Sequence, residues 1–364
     1  MPVEFDKIPD VGKIAVLRAN AIGDYIFALP ALEALRAAYP QAEIVLLGQP
    51  WHAGFRDGRP GPVDRVIVAP RTRGIREDRE APGAEADPAE LEQFFTAMQA
   101  ERFDLAVQLH GGGRNSNPFV RRFDARVTIG LKTPDAPPLD RWIPYIYYQP
   151  EVLRYLEAVA LAGASVTTVV PRIAVTEQDL AESYRVVPET EQPLVLLHPG
   201  AGDIRRRWPA EKFAAVGDAL AAAGAQILVN GVGFETQIID QVIQAMHSPA
   251  QNLCEQVTLG GLVGLLSRCR LVVSNDSGPL HLATAVGTPT VGIFWCGNLI
   301  NAGPVTRARH RPLISWRLHC PICGSDTTKE DRCNHAVSFV ADILVEDVLS
   351  AARELLGGDK EHGL

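Results

Sequence analysis

The sequence predicts an α/β protein made of two similar halves, each a parallel sheet covered by helices. Three observations carry this expectation. Short apolar runs alternate with segments of helical periodicity, which is the pattern of parallel βαβ units. The alternation stops at a proline-bearing polar stretch near the middle of the chain and then resumes. The length of 364 residues also matches two domains of about 100–200 residues each.

In the first half, 13–17 (KIAVL) reads as a strand and 25–38 as a helix interrupted by Pro30. Strands follow at 43–47 (EIVLL), 65–68 (RVIV) and 104–109 (DLAVQL). Residues 70–90 mix Arg, acids and Pro with few large apolar groups, so they read as a mobile loop and a candidate lid. Residues 144–162 read as mostly helical. The boundary falls within 163–193, which contains Pro171, Pro188 and Pro193. The second half then places strands at 194–197, 226–229, 271–273 and 290–294, with helices at 210–223, 235–247, 262–267 and 279–286. No solenoid-type repeat is present. Two halves of one architecture place the active site in the cleft between them.

Composition narrows the function. The chain is 46% apolar with a net charge of −8, which argues against nucleic-acid binding while leaving room for local basic pockets. No apolar run approaches the ~20 residues of a membrane span. Glu4, Asp6 and Asp10 at the amino end do not resemble a signal peptide. Six cysteines in a chain this long imply no disulfide framework, so the expectation is a reducing, cytoplasmic setting.

Three strand-to-helix turns carry the chemistry. The first is Arg18-Ala-Asn-Ala-Ile-Gly23-Asp24, at the carboxyl end of the first strand, where α/β sheets bind ligands. It has neither the dinucleotide fingerprint nor a P-loop. Asp24 can point into the cleft or act only as a helix N-cap. The second is His198-Pro-Gly200-Ala-Gly-Asp-Ile-Arg-Arg206-Arg207-Trp208-Pro209, a Gly-rich loop with three Arg that suits a diphosphate or, more plainly, is a solvated basic loop. The third is Asp276-Ser277-Gly278-Pro279-Leu-His281. Asp276 or Ser277 would cap the helix, the Ser277 and Gly278 amides would bind an anion, and His281 would face the ligand or be structural. Glu235, after 226–229, is a ribose ligand or merely an acid in a first helical turn.

These motifs, R-x-x-x-x-G-D, H-P-G-A…R-W-P and D-S-G-P-x-H in this order, resemble glycosyltransferase family 9, the ADP-heptose:lipopolysaccharide heptosyltransferases. The resemblance implies a GT-B fold, with two Rossmann-like domains facing each other across a cleft. Residues 1–170 would bind the acceptor and 185–345 the nucleotide sugar, with a terminal helix and tail over 346–364. It further implies inverting transfer without a metal or other cofactor in catalysis. Asp24 corresponds to the catalytic base and Arg206 stands where the family has a phosphate-binding Lys. Asp276, Ser277 and Gly278 match the diphosphate turn and Glu235 the ribose acid; His198, Gly200, Arg207 and His281 complete the expected donor site. Arg18, His110, Arg114 and Asn115 are the expected acceptor residues. Gln108-Leu-His110-Gly111 departs from the family's Asp-x-Gln-Gly-like stretch.

On this reading Asp24 deprotonates an acceptor hydroxyl that attacks the anomeric carbon, while Arg206, Arg207 and the helix amides stabilise the leaving diphosphate. The implied partners are ADP-heptose and an anionic saccharide or glycolipid such as lipopolysaccharide core, with at most peripheral contact at the inner face of the inner membrane. Another nucleotide sugar, a protein acceptor, or a non-catalytic sugar-nucleotide binder are the alternatives. Arg71, Arg73, Arg76 and Arg79 can meet acceptor phosphates, but neighbouring acids favour a solvated loop.

Cys320, Cys323, Cys333 and His335 have spacing that suits a structural zinc or iron, with free, partly buried thiols as the plain alternative. Some protein-modifying relatives of the family carry such a cysteine-bound metal. Cys254, Cys269 and Cys296 read as core residues.

Overall fold

The structure is a computed structural model that describes residues 5–77, 83–327 and 334–357. Arg79 and Cys333 therefore lie outside the described residues. The chain divides into two compact units, 1–174 and 175–364.

The first unit carries β1 (Lys13–Leu17), β2 (Glu43–Gly48), β3 (Arg65–Val68), β4 (Leu105–Gln108), β5 (Val127–Lys132) and β6 (Arg141–Pro144). All neighbours pair in parallel, in the order β3-β2-β1-β4-β5-β6. This is the doubly wound order, in which the direction of winding reverses between β1 and β4. Central strands covered on both faces must be apolar throughout. Ile14 to Leu17 and Leu105 to Val107 are accordingly all buried.

The second unit carries β7 (Leu194–His198), β8 (Gln226–Val229), β9 (Ala250–Asn252), β10 (Leu271–Asn275), β11 (Thr290–Trp295) and β12 (His310–Ser315). Their order, β12-β11-β10-β7-β8-β9, repeats the first sheet, with the reversal between β7 and β10. One face packs Leu197, Val273 and Ile293 against Trp208, Phe213 and Val348.

Several local expectations change. The first helix, Ile22–Ala38, begins earlier than expected and runs on through Pro30, whose ring is buried. Ala21, not Asp24, is its N-cap, and Asp24 occupies the third helical position. The 144–162 segment resolves into the end of β6 and a helix, Glu151–Ala160. Residues 71–77 form a tight turn closed by an antiparallel Thr72–Arg76 bridge, with Ile75 buried beneath it, rather than an open loop. Ile75 packs into the apolar core, which anchors this turn.

Candidate active site

The turn after β1 lies on the first unit's reversal point, beside the loop after β4. Between them is a pocket of about 760 Å³, lined among others by Arg18, Asp24, Gly112, Asn115, Glu151 and Tyr155. Asp24 stands on its wall because the capping arrangement holds it there: its Oδ2 accepts from the Ala21 N–H at 3.1 Å. The other carboxylate oxygen accepts from Arg18 Nη2 at 2.7 Å. The Asp24 side chain keeps about a third of its surface open, whereas that of Arg18 keeps 4%.

Arg18, expected to meet the acceptor, turns its guanidinium inward. It donates to the carbonyls of Leu109 at 3.0 Å and Asp24 at 3.3 Å, lies over the Tyr155 ring, and approaches Glu151 at 3.5 Å. Glu151 pairs in turn with Arg154, which is 1% exposed and donates to the carbonyls of Ile146, Tyr147 and Gln149. Four alternating charges, Asp24, Arg18, Glu151 and Arg154, thus run from the pocket wall into the interior. Burial pushes the Glu151 carboxyl above its ordinary range against the opposing pull of Arg18 and Arg154. The sequence reading did not single out Glu151 or Arg154. Their only local signal is an acid and a base three apart in one helical turn.

His110 is buried and serves the loop. Its Nδ1 accepts from the Ala19 N–H at 3.2 Å. Burial, then the nearby Arg18 charge, bring its pKa down to about 3, so the ring is neutral and offers an acceptor phosphate no positive charge. Gln108 ties the same loop, donating to the His110 and Gly111 carbonyls and accepting from the Leu131 N–H. Arg114 is open to solvent, 3.6 Å from Asp135. Asn115 is the N-cap position of helix Ser116–Arg121 and makes no side-chain cap bond. Its amide packs so closely on Gly74 that a Cβ there would lie 2.1 Å from Nδ2.

In the second unit, the loops after β7 and β10 flank the equivalent reversal point. Asn275 joins them: its Oδ1 accepts from the Trp208 N–H at 3.0 Å and its Nδ2 donates to the Pro199 carbonyl at 2.7 Å. Trp208, fully buried, donates Nε1 to the Ile343 carbonyl and pins the end of the Arg-bearing loop. Arg206 donates Nη1 to Asp276 Oδ2 at 3.0 Å, and His281 Nε2 lies 3.0 Å from Asp276 Oδ1. Burial works to raise the Asp276 carboxyl, but His281, then Arg206, outweigh it and hold it below the ordinary range. Asp276 therefore acts as an anchor for Arg206 rather than as the helix cap.

Ser277 is the N-cap of helix Gly278–Ala285, without a side-chain cap bond; its hydroxyl lies 3.2 Å from that of Ser274. Arg207 donates Nε and Nη2 to the Ala201 carbonyl, closing its own loop. Glu235 ends a short 3₁₀ turn, Gly233–Glu235, and is buried. Its Oε2 accepts from the Val232 N–H at 3.1 Å and its Oε1 lies 3.9 Å from His198 Nε2. Burial lowers the His198 pKa below its ordinary value against the pull of Glu235, and its Nδ1–H donates to the Asn230 carbonyl at 3.0 Å. Gly200 lies close to the same carboxylate: a Cβ there would fall 2.1 Å from Glu235 Oε1, so a side chain at this position would displace it.

The family model described as glycosyltransferase family 9 (heptosyltransferase) matches residues 91–331. The chain belongs to this family. Glycosyltransferase family 9 accounts for the fold class, an α/β GT-B type built from two Rossmann-like domains, and makes the chain an enzyme of heptosyl transfer. Lipopolysaccharide heptosyltransferase 2 of Salmonella typhimurium is 25% identical over 301 residues, covering 78% of this chain and 82% of that protein. The crystal structure of a family 9 glycosyltransferase from Veillonella parvula superposes with a TM-score of 0.75 at 22% identity, covering 95% of this chain and 97% of that one. An E. coli heptosyltransferase solved with ADP gives 0.69 at 19% identity, with coverages of 94% and 99%. No helix among the described residues is long and apolar enough to cross a membrane.

Cys320, Cys323 and His335 come together, each offering a ligand atom within 4.8 Å of the others. Cys269 and Cys296 are buried, as expected of core residues, whereas Cys254 is only partly so.

Proposed function

We propose that this enzyme transfers heptose from ADP-heptose to a saccharide hydroxyl of lipopolysaccharide core, with inversion and without a catalytic metal. The observation that carries the reading is the placement of Asp24. Its carboxylate stands on the wall of a pocket at the carboxyl edge of the first sheet, fixed by Arg18 and the Ala21 amide and still a third open. A group so held can take a proton from a bound hydroxyl as that oxygen attacks the anomeric carbon, a contribution of about 10²–10⁴-fold.

The donor half of the reading is supported by the loops after β7 and β10. Arg206, steadied by the buried Asp276, supplies a cation for the departing diphosphate. The Gly278 end of helix Gly278–Ala285 adds the positive end of its dipole. ADP in a solved relative and lipopolysaccharide in the names of curated ones point to the same substrates. The reaction would take place at the cytoplasmic face of the membrane that holds the acceptor.

The test is Asp24→Asn, assayed for transfer from ADP-heptose to heptose-deficient core and, separately, for ADP binding. Transfer should fall at least about 100-fold with ADP affinity unchanged. Normal turnover in this variant would remove Asp24 as the base.

A further inference from the structure

The cysteine cluster lies apart from the two sites above, yet its chain connects directly to one of them. We infer that Cys320, Cys323 and His335 bind one thiophilic metal ion, and that this ion braces the loop carrying Arg206.

The ligand geometry comes first. Residues 318–327 fold into a tight knuckle. Its bonds run from Cys320 N–H to the Ser325 carbonyl at 2.9 Å, from Gly324 N–H to the Cys320 carbonyl at 2.9 Å and from Thr327 N–H to the Leu318 carbonyl at 2.8 Å. Gly324 sits at φ +73°, the left-handed turn such a knuckle needs. The fold brings two sulfurs to one side, and His335 arrives from a separate segment with Nδ1 3.7 Å from Cys320 Sγ. Two thiolates and an imidazole form a soft donor set that selects zinc or ferrous iron over magnesium or calcium. Ligand atoms within 4.8 Å of one another can be spanned by one tetrahedral ion with bonds of about 2.0–2.3 Å after small side-chain adjustments. Cys320 is buried against the second unit's core, so the site has a fixed wall.

The consequence follows along the chain. Three residues past His335, Ser338 Oγ donates to the Arg207 carbonyl at 2.6 Å, and Phe339 N–H donates to the Arg205 carbonyl at 2.7 Å. These two bonds bracket the backbone of Arg206. The knuckle side is tied to the same strip: Arg317 Nη1 reaches the Ser338 carbonyl, and Ser315 Oγ donates to the Phe339 carbonyl. An ion joining Cys320 and Cys323 to His335 therefore closes a clamp whose far end holds the carbonyls of the two residues flanking the proposed diphosphate cation. The clamp's effect on nucleotide binding rests on the donor reading above; the metal site does not.

The full-length chain, purified without chelator, is analysed for metals by mass spectrometry. Its ADP affinity and amide exchange are measured before and after metal removal. The expected result is about one zinc or iron atom per chain. Cys323→Ser and His335→Ala, both outside the buried core, should each lose most of it. In metal-free protein the peptide containing Phe339 should exchange faster, and ADP should bind about tenfold more weakly, the change expected from losing the net worth of one hydrogen bond.

Wild-type protein that holds no metal and takes up none from added zinc overturns the site, as does full retention by both variants. Unchanged exchange and unchanged ADP affinity after metal loss overturn the brace. A loaded wild-type chain that binds no ADP instead refutes the donor reading, and the metal content and exchange still decide this one.

Discussion

Arg18 and Asp24 form an ion pair of 2.7 Å in which the cation is almost wholly buried and the carboxylate is partly open. The pair is asymmetric by construction, because Arg18 is held by two carbonyls, a tyrosine ring and Glu151, so the arginine fixes the aspartate. Replacing the fork with Gln shortens the side chain and loses the charge and most donors. Arg18→Gln should lower the transfer rate about 10- to 100-fold through misplacement of the carboxylate, with ADP affinity unaffected. Steady-state kinetics beside calorimetric ADP titration separates the two.

Glu151 sits between two buried guanidinium groups. Glu151→Gln leaves both without their shared carboxylate, a loss of about 3 kcal/mol in urea unfolding. Adding Arg154→Met should return part of that loss, because one uncompensated cation disappears. A coupling energy below about 0.5 kcal/mol in the double-mutant cycle would show that the two residues act independently.

Of the three arginines in this loop, Arg206 is held by the buried Asp276 beside helix Gly278–Ala285, whereas Arg205 closes on Asp203 and Arg207 on the Ala201 carbonyl within their own loop. Arg206→Met should weaken ADP binding about 10- to 100-fold, the range for a charge-assisted hydrogen bond, and leave adenosine binding unaltered. Equal losses for both ligands would place Arg206 away from the phosphates.

Stability should fall in mild acid. Burial brings the pKa of His110 to about 3, far below the ordinary histidine value. Between pH 6.5 and 3 the unfolded chain takes up a proton there that the folded chain does not. The contribution is therefore fully present above about pH 6.5 and declines as pH drops, by roughly 2 kcal/mol at pH 5. His52, also held at about 3, and His310, at about 4, act in the same direction. His110→Gln should remove its own share of the acid sensitivity, read as a smaller difference between urea unfolding at pH 7 and pH 5.

Most of the strands that the sequence exposed are buried on both faces, where every residue must be apolar; β3 (RVIV), at an edge, shows through its own apolar run. Those it concealed are mainly sheet edges. β6 (RWIP), β9 (AQN) and β12 (HRPLIS) end their sheets, so polar residues and proline are tolerated and no apolar run marks them. β5 is hidden differently, by Gly130, whose position leaves room for the Gln108 side chain. At the sites, the three loop motifs were readable because strand-to-helix turns are local. The tasks of their residues were not. Asp276 or Ser277 reads as the helix cap; Ser277 takes that position and Asp276 pairs with Arg206 and His281, while Arg18, expected at the acceptor, also supports Asp24 on the pocket wall.

Local order thus dictates the alternation of strands and helices and where ligand loops begin, since periodicity and turn chemistry act over a few residues. Only the packed chain decides which charges meet. Arg18 and Glu151 are 133 positions apart and become partners because the first sheet reverses its winding between β1 and β4. Removing such groups from water is unfavourable unless they find one another, and that requirement belongs to the assembled interior, not to any stretch of sequence.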